Sequence, residues 1–209
     1  MFFPSDSIYR CLDLREEEIS CICAEFNHVT TKELLGTFRA ALDEYSPRLL
    51  KLYCARKGAL GQEMENLLDK LDEQTSDIAV HRKNTALEGL LLFVREDSGT
   101  LFKTCLETDP DDETRGVKIG IVTVLEDDVA PTSLSSIQNI AVVLEEKIVL
   151  TDLPDLPTAF ACLLGLLFAL NIDYPKELKY TFEVIETIFM ELSTNCTQHV
   201  RSLKTKLLL

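Results

Sequence analysis

Along the first half of the chain, apolar residues recur at the period of a helix, and in the second half the pattern shifts to shorter β-branched runs. Thr30-Thr31-Lys32-Glu33 has the form of a capping box, in which a threonine hydroxyl and the Glu33 carboxylate satisfy each other's orphan amides. Leu34, Phe38, Ala41, Leu42 and Tyr45 follow at helical spacing, which predicts one helix from about Thr31 to Tyr45. Ser46-Pro47 is expected to interrupt it, because proline lacks a donor and disfavours helical geometry in the residue before it. A short segment with Leu49, Leu50, Leu52 and Tyr53 then resumes. Past Gly58 and Gly61, Met64, Leu67, Leu68 and Leu71 form one stripe opposite Glu63, Glu65, Asp69, Lys70 and Asp72, the pattern of a half-exposed amphipathic helix. Asn84 to Glu96 reads as another helix with Leu87, Leu90, Leu91 and Val94 inward, although Leu90 to Val94 alone fits a strand equally well. Upstream, Ile8 to Phe26 is read as a helix; it combines a Glu16-Glu17-Glu18 run, of the kind suited to a helical first turn, with β-branched and cysteine positions that carry little preference.

The character changes at Asp109. Glu107 to Glu113 is a charged loop, and Val117 to Leu125 is β-branched and glycine-punctuated, as strands are. Asn139 to Leu144 and Lys147 to Leu150 are apolar runs whose two-residue connection, Glu145-Glu146, suits a hairpin without supplying the Gly or Asn that a primed turn prefers. Asp155 is a cap candidate and Pro157 an early proline for a helix over Ala159 to Leu170, which is apolar on nearly every face. Asn171 to Pro175 turns the chain, and Leu178, Phe182, Ile185, Phe189 and Leu192 follow three and four residues apart. A basic tail with Arg201, Lys204 and Lys206 is expected to add a short terminal helix.

These elements predict an α+β fold with a helical N-terminal half, a sheet of three or more strands and a C-terminal αα-hairpin. The change of character divides the chain into a mainly helical region, 1–108, and a region of strands plus two helices, 109–209, packed as one globular unit. The helix from Thr158 to Leu170 is expected at its centre. Gly165 is expected to mark a close approach. The helix from Lys176 to Leu192 should cover one side and the strands another.

Composition narrows the function. A chain of 209 residues with 46% hydrophobic content buries a proper core. Its 35 acidic against 21 basic residues give a formal charge of -14, which disfavours nucleic acid and anionic lipid as partners unless positive charge is locally concentrated. Seven scattered cysteines (Cys11, Cys21, Cys23, Cys54, Cys105, Cys162, Cys196) fit a reducing compartment. The opening residues lack a basic region followed by an apolar run, so the cytosol or nucleus is expected. The longest apolar run is too short to span a bilayer, which needs about 20 residues.

No catalytic, cofactor or metal constellation stands out. In the loop Glu107 to Glu113, Asp109, Asp111 and Glu113 alternate as calcium ligands do, but Thr114 and Gly120 stand where such a loop needs its glycine and its bidentate glutamate. Cys21, Cys23 and His28 lie close together without the second ligand pair of a zinc site, and the two cysteines are read as buried or semi-buried thiols. His28, His81 and His199 are read as surface or structural residues. Gly58-Ala59-Leu60-Gly61 and Gly116 to Gly120 lack the fingerprints of phosphate-binding and dinucleotide loops. The best basic patch is Pro47 to Gly61, with Arg48, Lys51, Arg56 and Lys57 around Tyr53 and no acidic residue, read as a solvated helix face.

Several blocks in order carry a resemblance: Cys23 to Asn27, Ala40 to Arg48, Phe102 to Cys105, Gly120 to Val124, Ile140 to Glu145, Leu156 to Leu170 and Asp173 to Lys176. In these the chain resembles the C-terminal region of sterile alpha motif domain-containing protein 3-like proteins. The family name implies an N-terminal sterile alpha motif, a small helical association domain. Little more than 20 residues precede the likeness, so the chain is expected to lack the motif and to be a short member or a fragment. The resemblance implies an interaction or regulatory protein and carries over no site residue. The expectation is thus a non-catalytic module with a protein partner and no membrane insertion. The alternatives are an enzyme whose residues assemble only in three dimensions, and a nucleic-acid-associated protein of domesticated mobile-element origin.

Overall fold

A computed structural model describes residues 15–106, 114–125 and 137–208. The acidic loop Glu107 to Glu113, the expected helical residues Ile8 to Leu14, and Cys11 lie outside the described residues. In chain order the elements are α1 (Arg15–Thr30), α2 (Leu34–Ala55), α3 (Lys57–Leu60), α4 (Gln62–Asp72), α5 (Ile78–Val94) and α6 (Ser98–Leu101). Strands β1 (Phe102–Leu106), β2 (Ile119–Leu125), β3 (Ile137–Leu144) and β4 (Lys147–Leu150) follow, then α7 (Leu156–Ala169), a 3-10 turn (Lys176–Leu178), α8 (Lys179–Val184), a π-helical turn (Ile185–Phe189) and α9 (Gln198–Leu208). The fold is α+β, with helices dominating the N-terminal half and the C-terminal end and a small four-stranded mixed sheet.

The chain forms two compact units, each made of two separate stretches: Met1–Leu35 with Gly99–Pro175, and Gly36–Ser98 with Lys176–Leu209. Both helices of the expected αα-hairpin form, the first in one unit and the second in the other.

The first unit is built on α7. Asp155 accepts a hydrogen bond from the Thr158 amide at 2.7 Å and another from the Thr158 hydroxyl, and Pro157 sits in the first turn, where its missing N–H is no loss. Every residue from Leu156 to Leu167 is buried. The sheet runs β1-β2-β3-β4, parallel between β1 and β2 and antiparallel elsewhere. Helix α7 packs on β2 and β3, where Phe102 of β1 stands beside Ile121 in register and its ring meets Phe160 at 6.2 Å. Strand alternation sends Val122 and Val143 to the opposite face, where they join Cys105 and Val117 in a second buried cluster.

Within the first unit, the helix that runs along α7 is α1. Gly165 permits this, because a Cβ there would lie 2.5 Å from the Ile22 Cγ2 and 2.7 Å from the Leu34 Cδ2. Phe26 then meets Phe168 edge-on, with ring centroids 5.3 Å apart. The hairpin forms as expected although Glu145 and Glu146 both take left-handed backbone, at φ 49 and 64. Their amides donate to the Lys118 and Val117 carbonyls at 2.7 and 2.8 Å, which offsets the strain of about 1–2 kcal/mol that a non-glycine residue meets there.

One expectation near the start of the chain fails for a local reason. Thr30 and Thr31 do not cap α2: Thr31 takes φ 62, the Thr30 hydroxyl donates to the Phe26 carbonyl at 2.7 Å, and the pair closes α1 instead. Strand β1 lies within the region read as mainly helical; its five residues show no long period and acquire strand character by pairing with β2.

In the second unit α2 continues through Ser46-Pro47 to Ala55. Proline removes only one bond of the ladder, and the Ser46 hydroxyl donates to the Leu42 carbonyl beside it. The buried Tyr53 donates to the Ala86 carbonyl at 2.8 Å, and Gly89 leaves room for its ring, since a Cβ there would meet it at 2.6 Å. Helix α5 begins well before the expected Asn84, and its Leu87, Leu90, Leu91 and Val94 are buried as the pattern predicts. Helix α4 packs on α5 with Met64 and Leu68 inward. Past α8 the chain widens into the π turn, closed by the Met190 amide on the Ile185 carbonyl at 2.9 Å, which places Phe189 against Phe38 and Tyr45.

Replacing Leu164 by alanine should destabilise the protein by about 2–5 kcal/mol, and Gly165→Ala by about 1–3 kcal/mol despite adding only a methyl group, both read by chemical denaturation. Glu88 on α5 gives a pH test. Burial raises its carboxyl above the ordinary range, against the lowering effect of Lys70. A raised folded-state pKa means that this group favours folding at low pH, a contribution lost as pH rises through the folded value. Glu88→Gln should therefore raise the Tm near about pH 7, and the difference should vanish toward about pH 4.

Candidate anion-binding cleft

A concave site in the second unit gathers cationic side chains from three remote stretches of chain. Arg56 follows the end of α2, Arg95 follows the end of α5, and His199, Ser202 and Lys206 come from α9, where positions three, four and seven apart share one face. The cleft has a volume of about 160 Å³, and Phe93 and Leu203 form its buried apolar floor. No carboxylate lines it.

Each side of the cleft is fixed by a local device. Helix α5 ends in a Schellman closure, with the Glu96 amide on the Leu91 carbonyl at 2.8 Å and the Arg95 amide on Leu92 at 3.1 Å. That motif requires left-handed backbone, and Arg95 adopts it at φ 65 where glycine is the usual occupant. The turn points the Glu96 carboxylate away from the cleft, where it accepts from the Tyr180 amide at 2.6 Å and the Thr181 amide at 3.0 Å and so satisfies the first turn of α8. Glu183 serves α9 in the same way, accepting from the Thr197 hydroxyl at 3.0 Å and from its amide. The Arg48 guanidinium donates to the Leu207 carbonyl at 2.9 Å at the other end of α9. Helix α9, and with it His199, Ser202 and Lys206, is thus held at both ends.

With the Glu96 carboxylate committed to α8, Arg56, Arg95 and Lys206 have no carboxylate partner among the described residues. Arg56 stacks over the Phe93 ring at 5.7 Å, an arrangement that orients the guanidinium and leaves its in-plane N–H groups available. The His199 ring packs against Tyr180 at 5.2 Å. Convergent Arg and Lys donors over an apolar floor are suited to holding a compact anion by charge-assisted hydrogen bonds.

Of the basic patch read in the sequence, Arg56 reaches this site together with the apolar Ala59 and Leu60. Arg48 pairs with Glu44 at 3.3 Å besides holding α9, and Tyr53 is fully buried, so it offers no ring for stacking on a base. Sequence spacing does not group Arg95, His199 and Lys206, since nothing along the chain joins positions so far apart. On α1, Cys23 is half-buried as expected, but Cys21 is exposed rather than buried or semi-buried, because two residues apart on a helix the pair point to different faces. Burial, with Glu33 adding, pushes the Cys23 thiol up against a backbone hydrogen bond at Leu35, which lowers its reactivity. The six described cysteines are free thiols, and no three His, Cys, Asp or Glu among the described residues are placed to share a metal ion. No helix among them is long and apolar enough to cross a membrane.

No family model matches the chain, and neither a curated protein nor a solved structure matches it.

Removing the Glu96 carboxylate strips the first turn of α8 of its acceptor, so Glu96→Ala should cost about 1–2 kcal/mol. Arg95→Gly should instead stabilise the closure of α5 by about 1 kcal/mol. Thermal melts of the two variants check both signs.

Proposed function

We propose that the chain is a non-catalytic protein-interaction or regulatory module of the cytoplasm or nucleus. The observation that carries this reading is the cleft of unneutralised cations on a protein whose formal charge is -14. Such a contrast of local and global charge favours an acidic group on a protein partner and works against a long polyanion, which would meet the repulsion of the whole chain. The resemblance to the C-terminal region of sterile alpha motif domain-containing protein 3-like proteins supports the same class.

The test is affinity purification from the native cell, with and without nuclease, of the wild type and the Lys206→Glu variant. A partner retained after nuclease and lost with Lys206→Glu is the expected result. Material that nuclease removes would replace this reading with the nucleic-acid one, and a partner held equally by both proteins would move the interface away from the cleft.

A further inference from the structure

We propose that the cleft formed by Arg56, Arg95, His199, Ser202 and Lys206 receives the phosphate of a phosphorylated serine or threonine on the partner protein. The proposal rests on the interaction reading above and names the chemistry of its ligand.

Charge selects a dianion. The helix ends that precede Arg56 and Arg95 each contribute about half a negative charge. Counting both in full, Arg56, Arg95 and Lys206 still leave an excess of about two positive charges, matching the -1.5 to -2 of a phosphorylated side chain near neutral pH. A single carboxylate would leave about one positive charge unmatched. Size agrees: about 160 Å³ holds a phosphate and its linking carbons, whereas nucleotide-sized ligands need clefts of roughly 300 Å³ or more. The net charge of -14 weighs against nucleic acid and anionic membrane. Geometry supplies the donors. Arg56 is oriented by Phe93, Ser202 adds a hydroxyl, and the Glu96 carboxylate is held on the Tyr180 and Thr181 amides. The Schellman closure of α5 fixes the backbone of Arg95 at the edge of the cleft.

Binding is read by NMR on the full 15N-labelled chain at about 0.15 M salt. The probes are a short phosphoserine peptide, the same peptide with glutamate, inorganic phosphate and a single-stranded oligonucleotide. Saturable shifts at the Arg56, Arg95, His199, Ser202 and Lys206 amides are expected with the phosphopeptide, which should bind about tenfold more tightly than the glutamate peptide. Lys206→Glu and Arg95→Gly should each weaken it by about tenfold or more, while Arg95→Gly keeps or raises the Tm, so the loss is not unfolding. Equal binding of the glutamate peptide, binding of inorganic phosphate without the peptide, tighter binding of the oligonucleotide, or indifference to both substitutions would each overturn the proposal. If the phosphopeptide fails while a nuclease-resistant partner is still captured, the phosphate assignment falls and the interaction reading stands. If it binds and no partner is captured, the reverse holds.

Discussion

The apolar surface of α7 is the constraint on which the first unit depends. A helix with buried residues all round its axis must be covered on more than one side, and the chain supplies a sheet and a second helix for the purpose. The sheet brings Ile121, Val142 and the Phe102 ring to one side. Helix α1 takes another, at a distance that only a glycine at position 165 allows. Burying side chains of this size stabilises by about 2 kcal/mol each, so the α7 interfaces outweigh the hydrogen bonds and surface ion pairs elsewhere in the unit.

The second unit is organised by how its carboxylates are used. Glu96 and Glu183 are both committed to helix N-termini, where orphan amides and the helix dipole make a carboxylate most useful. That use removes negative charge from the neighbourhood of Arg95 and fixes α9 at its start, while Arg48 fixes its end. The positive cleft is thus a by-product of helix capping as much as of placing cations: the same turn that exposes Arg95 draws Glu96 away from it. Left-handed non-glycine residues recur at such places, with Arg95 ending α5 and Glu145-Glu146 turning the hairpin, and in each case backbone hydrogen bonds hold a conformation that the side chain alone disfavours.

Long periodic segments are legible from residue spacing. The amphipathic stripe of α4, the inward leucines of α5, the cap and proline of α7 and the strand pair β3–β4 follow from that spacing and from the chemistry of single residues. Expectation and structure part where a local signal has two uses. Thr30-Thr31 carries the pattern of a helix start and serves a helix end, and Ser46-Pro47 carries that of a break but costs one ladder bond that the buried α2 tolerates. Strand β1 is hidden in the sequence because a five-residue segment has too little period to declare itself, and a parallel partner distant along the chain decides it.

The sequence by itself determined the fold class, most of the elements, the buried faces and the global negative charge, because each depends on residues near one another along the chain or on composition alone. Tertiary structure alone decided which helix covers α7, how the chain divides into two units from interleaved stretches, and that Arg56, Arg95, His199 and Lys206 share one cleft. The physical reason is the range of the interactions. Helical period and capping act over a few residues, whereas packing and electrostatics act through space and join positions that no spacing rule connects.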